Sequence, residues 1–298
     1  MRPLIHFDQS NFKPFHICPV THDLSDHPLL QLSEIIKLSQ RLKTFRFHDD
    51  QARAGTDFTN APQSNPVDKD PRELLKDIEN AKAWIALHNV QQDDIYRGLI
   101  DEVLDSVRPT LDPVDPGMYS RAGWIFVTSP GAVTPYHMDH EHNFILQIKG
   151  TKEIHVFPTL NRSIVSERCL EIFHHNWSRE LVTYSPEFEK DASVFNAGPG
   201  MGAYMPQTSP HWVKNGEEVS ITISFTYYTK ATQVRAAAHK TNYKLRRLGM
   251  SPSPVGNNLL LDRVKAASIE TMSLGKDVIS FFMKRQHIHE RRPAYARS

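Results

Sequence analysis

Cysteine is scarce in this chain. Cys18 and Cys169 are the only two among 298 residues, far apart and outside any C-x-x-C pattern. That excludes a disulfide scaffold and a zinc ribbon, and it fits a reducing compartment. Long apolar runs are missing as well. The opening Met-Arg-Pro-Leu-Ile-His-Phe-Asp has no apolar core of signal-peptide length. Nowhere do about 18 apolar residues follow one another. The expectation is a soluble cytoplasmic protein. Net charge is small, +1, and there is neither an internal repeat nor a low-complexity tract. With 39% apolar and 23% charged residues, wholesale disorder is excluded too. A chain of this length buries a core without disulfides or structural metal, as one large domain or two small ones.

Histidine, in contrast, is abundant, with sixteen copies. It is the commonest metal ligand and the side chain that titrates near neutrality. Charge is also uneven. Residues 230–298 hold fourteen Lys/Arg against four Asp/Glu, a net +10, so the remaining body carries −9.

Apolar spacing predicts an amphipathic helix over 28–43, with Leu29, Leu32, Ile35, Ile36 and Leu42 on one side. A polar loop follows at 48–69. Asp70-Pro71 opens a second helix to about Lys82, since an N-cap followed by proline is a helix start. Ala83–Val90 reads as a short strand. Gln92–Val107 reads as a third helix, with Ile95, Leu99, Val103 and Leu104 on one stripe. From Arg121 to Thr229 the pieces shorten: GWIFVTS, NFILQIKG, KEIHVFP, ASVFNAG, GAYMP and VSITISFTYYT are strand-sized and β-branched or aromatic. Such spacing predicts a sandwich or barrel, with 160–190 as an inserted loop and helix region. Helices resume at 231–248 and, after a proline-containing break at Ser251–Gly256, at 258–287. The expected organisation is a helix and strand region at 1–120, a β core at 121–229 and a basic helical region at 230–298.

The richest segment is GAVTPYHMDHEHNFILQIKGTK, residues 131–152. His137 and Asp139 are two apart, so on an extended chain both project from one face. An imidazole and a carboxylate on the inner face of a barrel converge, and one more histidine completes a 2-His-1-carboxylate facial triad of non-haem iron. His211, in MPQTSPHWVKN at the start of the last barrel strand, is the best candidate. His-x-Asp alone is weak, and His48-x-Asp50 is a second match in the polar loop. The surroundings strengthen the first pair: Thr134 lies three residues before His137, Asn143 six after it, and Lys152 fifteen after it, just past Gly150. A lysine directed into a barrel requires an anion, because a buried unpaired ammonium is disfavoured. An open-faced metal beside a buried cation suits a small dicarboxylate that chelates at one end and ion-pairs at the other.

The pattern T-x-x-H-x-D-x-x-x-N-F-x-x-Q-I-x-G-x-K, then a strand ending in F-P, then a distal histidine before a final strand, resembles the JmjC-type, cupin-like iron(II)/2-oxoglutarate oxygenases over about Gly123–Tyr228. More loosely, the whole chain resembles bacterial "cupin-like domain" proteins. The resemblance implies a mainly β fold: a double-stranded β-helix (jelly-roll) core flanked by N-terminal helices and a C-terminal helical tail. It implies His137, Asp139 and His211 as iron(II) ligands. It further implies Lys152 and Thr134 on the distal carboxylate of 2-oxoglutarate, with Asn143 lining that pocket. The expected activity is hydroxylation or demethylation of a substrate with release of succinate and carbon dioxide, dioxygen being the other cosubstrate. Two positions depart from the family pattern. Pro199-Gly200-Met201 lacks a turn aspartate, and Ser224 stands where some relatives carry asparagine.

Plainer readings accompany each of these residues. His137 and Asp139 form a strand-end pair bonded to backbone, His211 a core-edge histidine, Lys152 a surface lysine, and Thr134 and Asn143 ordinary turn or strand-end residues. His140 and His142 are expected outside the ligand set, because five protein ligands would close the positions the chemistry needs. His174, His175, His287 and His289 are expected at the surface, and Trp124, Phe126, Phe144 and Phe157 in the barrel core. The alternative function is a cupin-like metal- or ligand-binding regulatory module acting through its basic region; a zinc or manganese cupin would have no need of Lys152. The substrate stays open among protein side chain, small metabolite and lipid or sugar, with 48–69 and 160–190 as specificity elements. Arg246-Arg247, Lys284-Arg285 and Arg291-Arg292, beside an apolar stripe over Leu260–Met283, suit an anionic surface such as the inner face of a membrane, a homodimer, or a docked helix. No nucleic-acid module is evident.

Overall fold

The computed structural model describes residues 2–269. Among the described residues, twelve strands are distributed over two antiparallel sheets. Four strands come from the first ninety residues: β1 (Ile5–His6), β2 (Cys18–His22), β3 (Phe45–Asp49) and β4 (Ala83–Leu87). The other eight are β5 (Tyr119–Thr128), β6 (Val133–His137), β7 (His142–Lys149), β8 (Lys152–Val156), β9 (Ser193–Ala197), β10 (Met201–Met205), β11 (His211–Asn215) and β12 (Ser220–Tyr228). The helices are α1 (Leu32–Arg41), α2 (Ala61–Ser64), α3 (Pro71–Leu74), α4 (Asp94–Leu111), α5 (Glu167–Asn176) and α6 (Lys230–Arg247). Residues 259–269 are also helical.

The larger sheet runs β1-β2-β10-β7-β12-β5-β4-β3 and the smaller β6-β11-β8-β9. Along the chain, β5 to β8 alternate between the two sheets, and so do β9 to β12. β5-β12-β7-β10 therefore faces β6-β11-β8-β9 as a double-stranded β-helix, the expected fold class. Gly150 makes the β7–β8 turn possible. Its φ is +70°, and a Cβ there would lie 2.5 Å from the Val219 carbonyl oxygen.

Both faces of the larger sheet are covered, and the period-2 rule separates their chemistry. On β12, Ile221, Ile223, Phe225 and Tyr227 join Ile125, Val127, Phe144 and Leu146 in a core shared with α1 and α4. The alternate residues Ser220, Thr222, Ser224 and Thr226 are buried but polar, and they face the barrel interior. A small apolar cluster, Ile145, Ile154, Val156, Ala203, Met205 and Val213, packs inside the barrel.

Several elements differ from the sequence reading. The helix expected at 28–43 is a 3₁₀ turn, Pro28–Leu30, followed by α1. The loop expected at 48–69 begins inside β3 and contains α2. In FRFHD, Phe45 and Phe47 alternate with Arg46 and His48 over too short a run to stand out from the polar segment it opens, and it pairs along β4. The helix begun at Asp70 is cut short: α3 passes into a 3₁₀ turn, Leu75–Asp77, and Lys82 turns at positive φ into β4. The third helix starts at Asp94, where Asp93 accepts from the Ile95 and Tyr96 amides, and runs to Leu111. Its buried stripe carries Tyr96, Leu99, Ile100, Val103 and Leu104, while Ile95 is 60% exposed. α6 covers the helix expected at 231–248, whereas the one expected at 258–287 is described only to 269; Lys284-Arg285, His287, His289 and Arg291-Arg292 lie outside the described residues. Among the described residues no helix is long and apolar enough to cross a membrane.

Candidate functional site

His137 ends β6 and His211 begins β11, where the two residues are direct cross-strand partners. β11 is thus the penultimate strand, not the last as the sequence reading placed it. Asp139 lies beyond the end of β6 rather than on it. The alternation nevertheless carries through: Asp139, Glu141, Asn143 and Ile145 line the same cavity as His137. His137, Asp139 and His211 each offer one ligand atom, and these atoms lie within 4.8 Å of one another, a group able to hold a metal ion.

Backbone carbonyls fix both imidazoles. The His137 Nδ1–H donates to the Pro135 carbonyl at 2.7 Å, and the His211 Nδ1–H to the Ser209 carbonyl at 3.1 Å. Each Nε2 lone pair is left facing Asp139 Oδ2, 3.8 Å away in both cases. Anchoring of this kind sets tautomer and ring orientation in metal sites. Burial pushes both imidazoles down, that of His137 well below its usual value with His211 adding to the effect, so both are neutral and ready to ligate. Burial alone would raise the Asp139 carboxyl, but the Arg179 guanidinium beside it holds it below the usual range.

The other oxygen of Asp139 is taken. Arg179, from the 160–190 insertion, donates from Nη2 to Oδ1 at 3.2 Å and from Nε to the Met138 carbonyl at 3.0 Å. Phe58, from the polar loop, stacks on His137 with centroids 3.8 Å apart and planes within 3°. Arg179→Met is expected to weaken cobalt(II) affinity roughly tenfold or more by releasing Asp139, the size of effect such outer contacts have on metal sites. Titration of the cobalt absorption checks it.

Deeper in the barrel, Lys152 is 5% exposed and has no carboxylate partner among the described residues. Its Nζ donates across the barrel to Thr222 Oγ1 at 2.6 Å, and Thr222 donates on to Gln147 Oε1 at 2.8 Å. Burial pushes the ammonium down to about 7. Thr134 and Asn143 line the same cavity. Thr134 Oγ1 accepts from Trp84 Nε1 at 2.8 Å. Asn143 Nδ2 donates to Ser224 at 3.1 Å, and its Oδ1 is buried without a partner. Trp124 and Phe126, expected in the core, are cavity walls instead. Glu141 shares the cavity; burial and Asp139 push its carboxyl up to about 7, and the Tyr228 hydroxyl donates to it at 2.8 Å.

The remaining histidines are sorted by the same alternation. His140 points away from Asp139 and stacks on Phe173 at 3.8 Å. His142 is fully buried against Asp115, its Nδ1 accepting from the Gln207 amide at 3.1 Å. His174, expected at the surface, is buried and stacks on His239 at 5.3 Å, because α5 docks on α6. His175 is half-buried against Tyr243. Sequence reasoning missed Arg179, Phe58, Trp84 and Glu141. A lone phenylalanine in an otherwise polar loop was the one available signal.

No family model matches this chain, and no curated protein matches it. Among solved structures it is similar to Escherichia coli ycfD, with 13% identity over 92% of this chain and 69% of that one, TM-score 0.47. A second structure, described as YcfD, a ribosomal oxygenase from Escherichia coli, gives 12%, 92%, 68% and 0.46. A third, of that oxygenase with cobalt and 2-oxoglutarate, gives 14%, 65%, 47% and 0.36. At such scores the likeness carries no weight on activity.

Proposed function

We propose that this chain is an iron(II)- and 2-oxoglutarate-dependent oxygenase that hydroxylates, or demethylates, its substrate. One observation carries the reading: two buried histidines with one half-buried carboxylate, and a buried lysine without an anionic partner among the described residues, line one cavity. The donor set suits iron(II), since imidazoles and a single carboxylate on one side leave adjacent positions open. Lys152 suits a dicarboxylate, which would supply the anion its burial demands.

His137 and His211 would hold the metal through Nε2 and Asp139 through Oδ2, with Arg179 keeping Oδ1 turned away. Lys152 and Thr134 would take the far carboxylate of 2-oxoglutarate, and Asn143 would face the cosubstrate through its unpartnered Oδ1. Trp84, Trp124, Phe126 and Phe58 give the cavity an aromatic wall. Iron(II), when bound, would supply the redox chemistry: dioxygen is the oxidant, and 2-oxoglutarate would give up two electrons as it is converted to succinate and carbon dioxide.

Anaerobic addition of iron(II) and 2-oxoglutarate is the test. A weak visible charge-transfer band is expected in the wild type and absent in both His137→Ala and Lys152→Ala. Iron affinity indifferent to 2-oxoglutarate, or no affinity at all, would replace this reading with a metal- or ligand-binding module.

A further inference from the structure

The inward face of the larger sheet continues past the barrel, and the groups it carries there have no part in holding metal or cosubstrate. By register, Arg46 on β3 lies opposite Ala86 on β4, and Ala86 opposite Phe126, so Arg46 projects from the cavity-lining face. His88, just beyond β4, keeps the same parity and stacks on Trp124 with centroids 4.2 Å apart. The Arg46 guanidinium sits 4.3 Å from the centroid of Phe58, the ring that stacks on His137. Arg46 and His88 therefore pack on two rings that line the cavity, Phe58 and Trp124, with Phe58 between Arg46 and the candidate metal ligand His137.

Both are incomplete. Arg46 Nε and His88 Nε2 are buried with no hydrogen-bond partner. Among the described residues, Arg46 donates only to the Thr59 carbonyl, at 3.3 Å, and has no carboxylate within ion-pair distance, Asp57 acting on it only from farther away. Burial and the nearby charge of Arg179 push its guanidinium down. Burial and Arg46 likewise push the His88 imidazole down, to about 4, so the ring is neutral. Other ionisable groups in the cavity have partners: Asp139 has Arg179, Glu141 the Tyr228 hydroxyl, and Lys152 the dicarboxylate it would receive. An unmatched guanidinium beside an unmatched imidazole is unfavourable until an acceptor group meets both, and a carboxylate is the natural partner of a guanidinium fork.

We propose that Arg46 and His88 bind the anionic group of the primary substrate, an organic acid whose apolar body lies along Trp124 toward His137. This deepens the oxygenase reading by naming its substrate class. Binding of the acid itself needs neither iron nor 2-oxoglutarate.

The test uses the full chain without metal or cosubstrate, titrated by tryptophan fluorescence with phenylacetate, phenylacetamide and phenethylamine. The acid is expected to bind at least about tenfold more tightly than the amide, and the amine not at all, as a charge-assisted contact requires. Arg46→Gln should remove the preference and Arg46→Lys keep part of it. Equal binding of the three, no binding of phenylacetate, or a preference that survives Arg46→Gln would overturn the proposal. So would loss of the preference in Lys152→Met instead, which would put the acid at the cosubstrate anchor. The wild-type comparison stands even if a variant fails to fold. A missing iron–2-oxoglutarate band would count against the oxygenase alone, leaving this result intact.

Discussion

Lys152→Met is expected to give a protein that is harder to unfold and unable to hold 2-oxoglutarate. The wild-type ammonium is buried, and burial lowers it from 10.5 to about 7. At about 1.4 kcal/mol for each pH unit, the folded apo protein carries a burden of about 5 kcal/mol. The folded value lies below the unfolded one, so the burden is complete below about pH 7 and fades as pH rises toward 10.5. Wild-type apo stability should climb across that window, and Lys152→Met should remove the climb while raising the urea midpoint near neutrality. Methionine fits the stem and leaves the Thr222–Gln147 hydrogen bond in place. Binding shows the other side of the same residue. A dianion favours the ammonium, so above about pH 7 the complex takes up a proton and affinity falls by up to about tenfold per pH unit. Calorimetry in buffers of different ionisation heat detects that proton. A destabilised Lys152→Met protein, or no proton uptake, would contradict the account.

Asp139→Ala is the second large effect. It removes the carboxylate that faces both Nε2 atoms, and it leaves the Arg179 guanidinium directed at two neutral imidazoles. Loss of a ligand and introduction of an unbalanced positive charge act together. Cobalt(II) affinity should fall by about three orders of magnitude, or about 4 kcal/mol. Adding Arg179→Met to Asp139→Ala should recover about tenfold, because the repulsive charge is gone, whereas in the wild-type background the same change weakens binding. That reversal of sign in a double-mutant cycle identifies direct coupling between the two side chains. Additive losses would mean that Arg179 acts elsewhere.

The barrel strands and the residues that converge on the cavity were legible because local signals reported them. β-branched runs marked β5, β7, β8 and β12, and His137, Asp139 and Lys152 belong to one short segment. The reason offered for the His-x-Asp pair was only half right: the parity holds although the strand itself has ended. What stayed hidden depends on pairing at a distance. β2 and β3 are short and mixed in character, and become strands only because β10 and β4 offer hydrogen-bonding edges. Ile95 and Tyr96 compete for the buried stripe of α4, and the cap at Asp93 sets which of them faces inward. His174 looked superficial because nothing near it announces that α6 will cover it. Arg179, forty residues from Asp139, gives no spacing signal at all.

The sheet that walls the cavity does not stop where the barrel closes. β4 lies along β5, and Trp84 reaches over to hold Thr134. An excised jelly roll would therefore be a damaged object: the outer edge of β5 would be bared for intermolecular pairing, and one flank of the cavity would be open to solvent. Transplanting this cavity onto another scaffold would require carrying the preceding ninety residues with it.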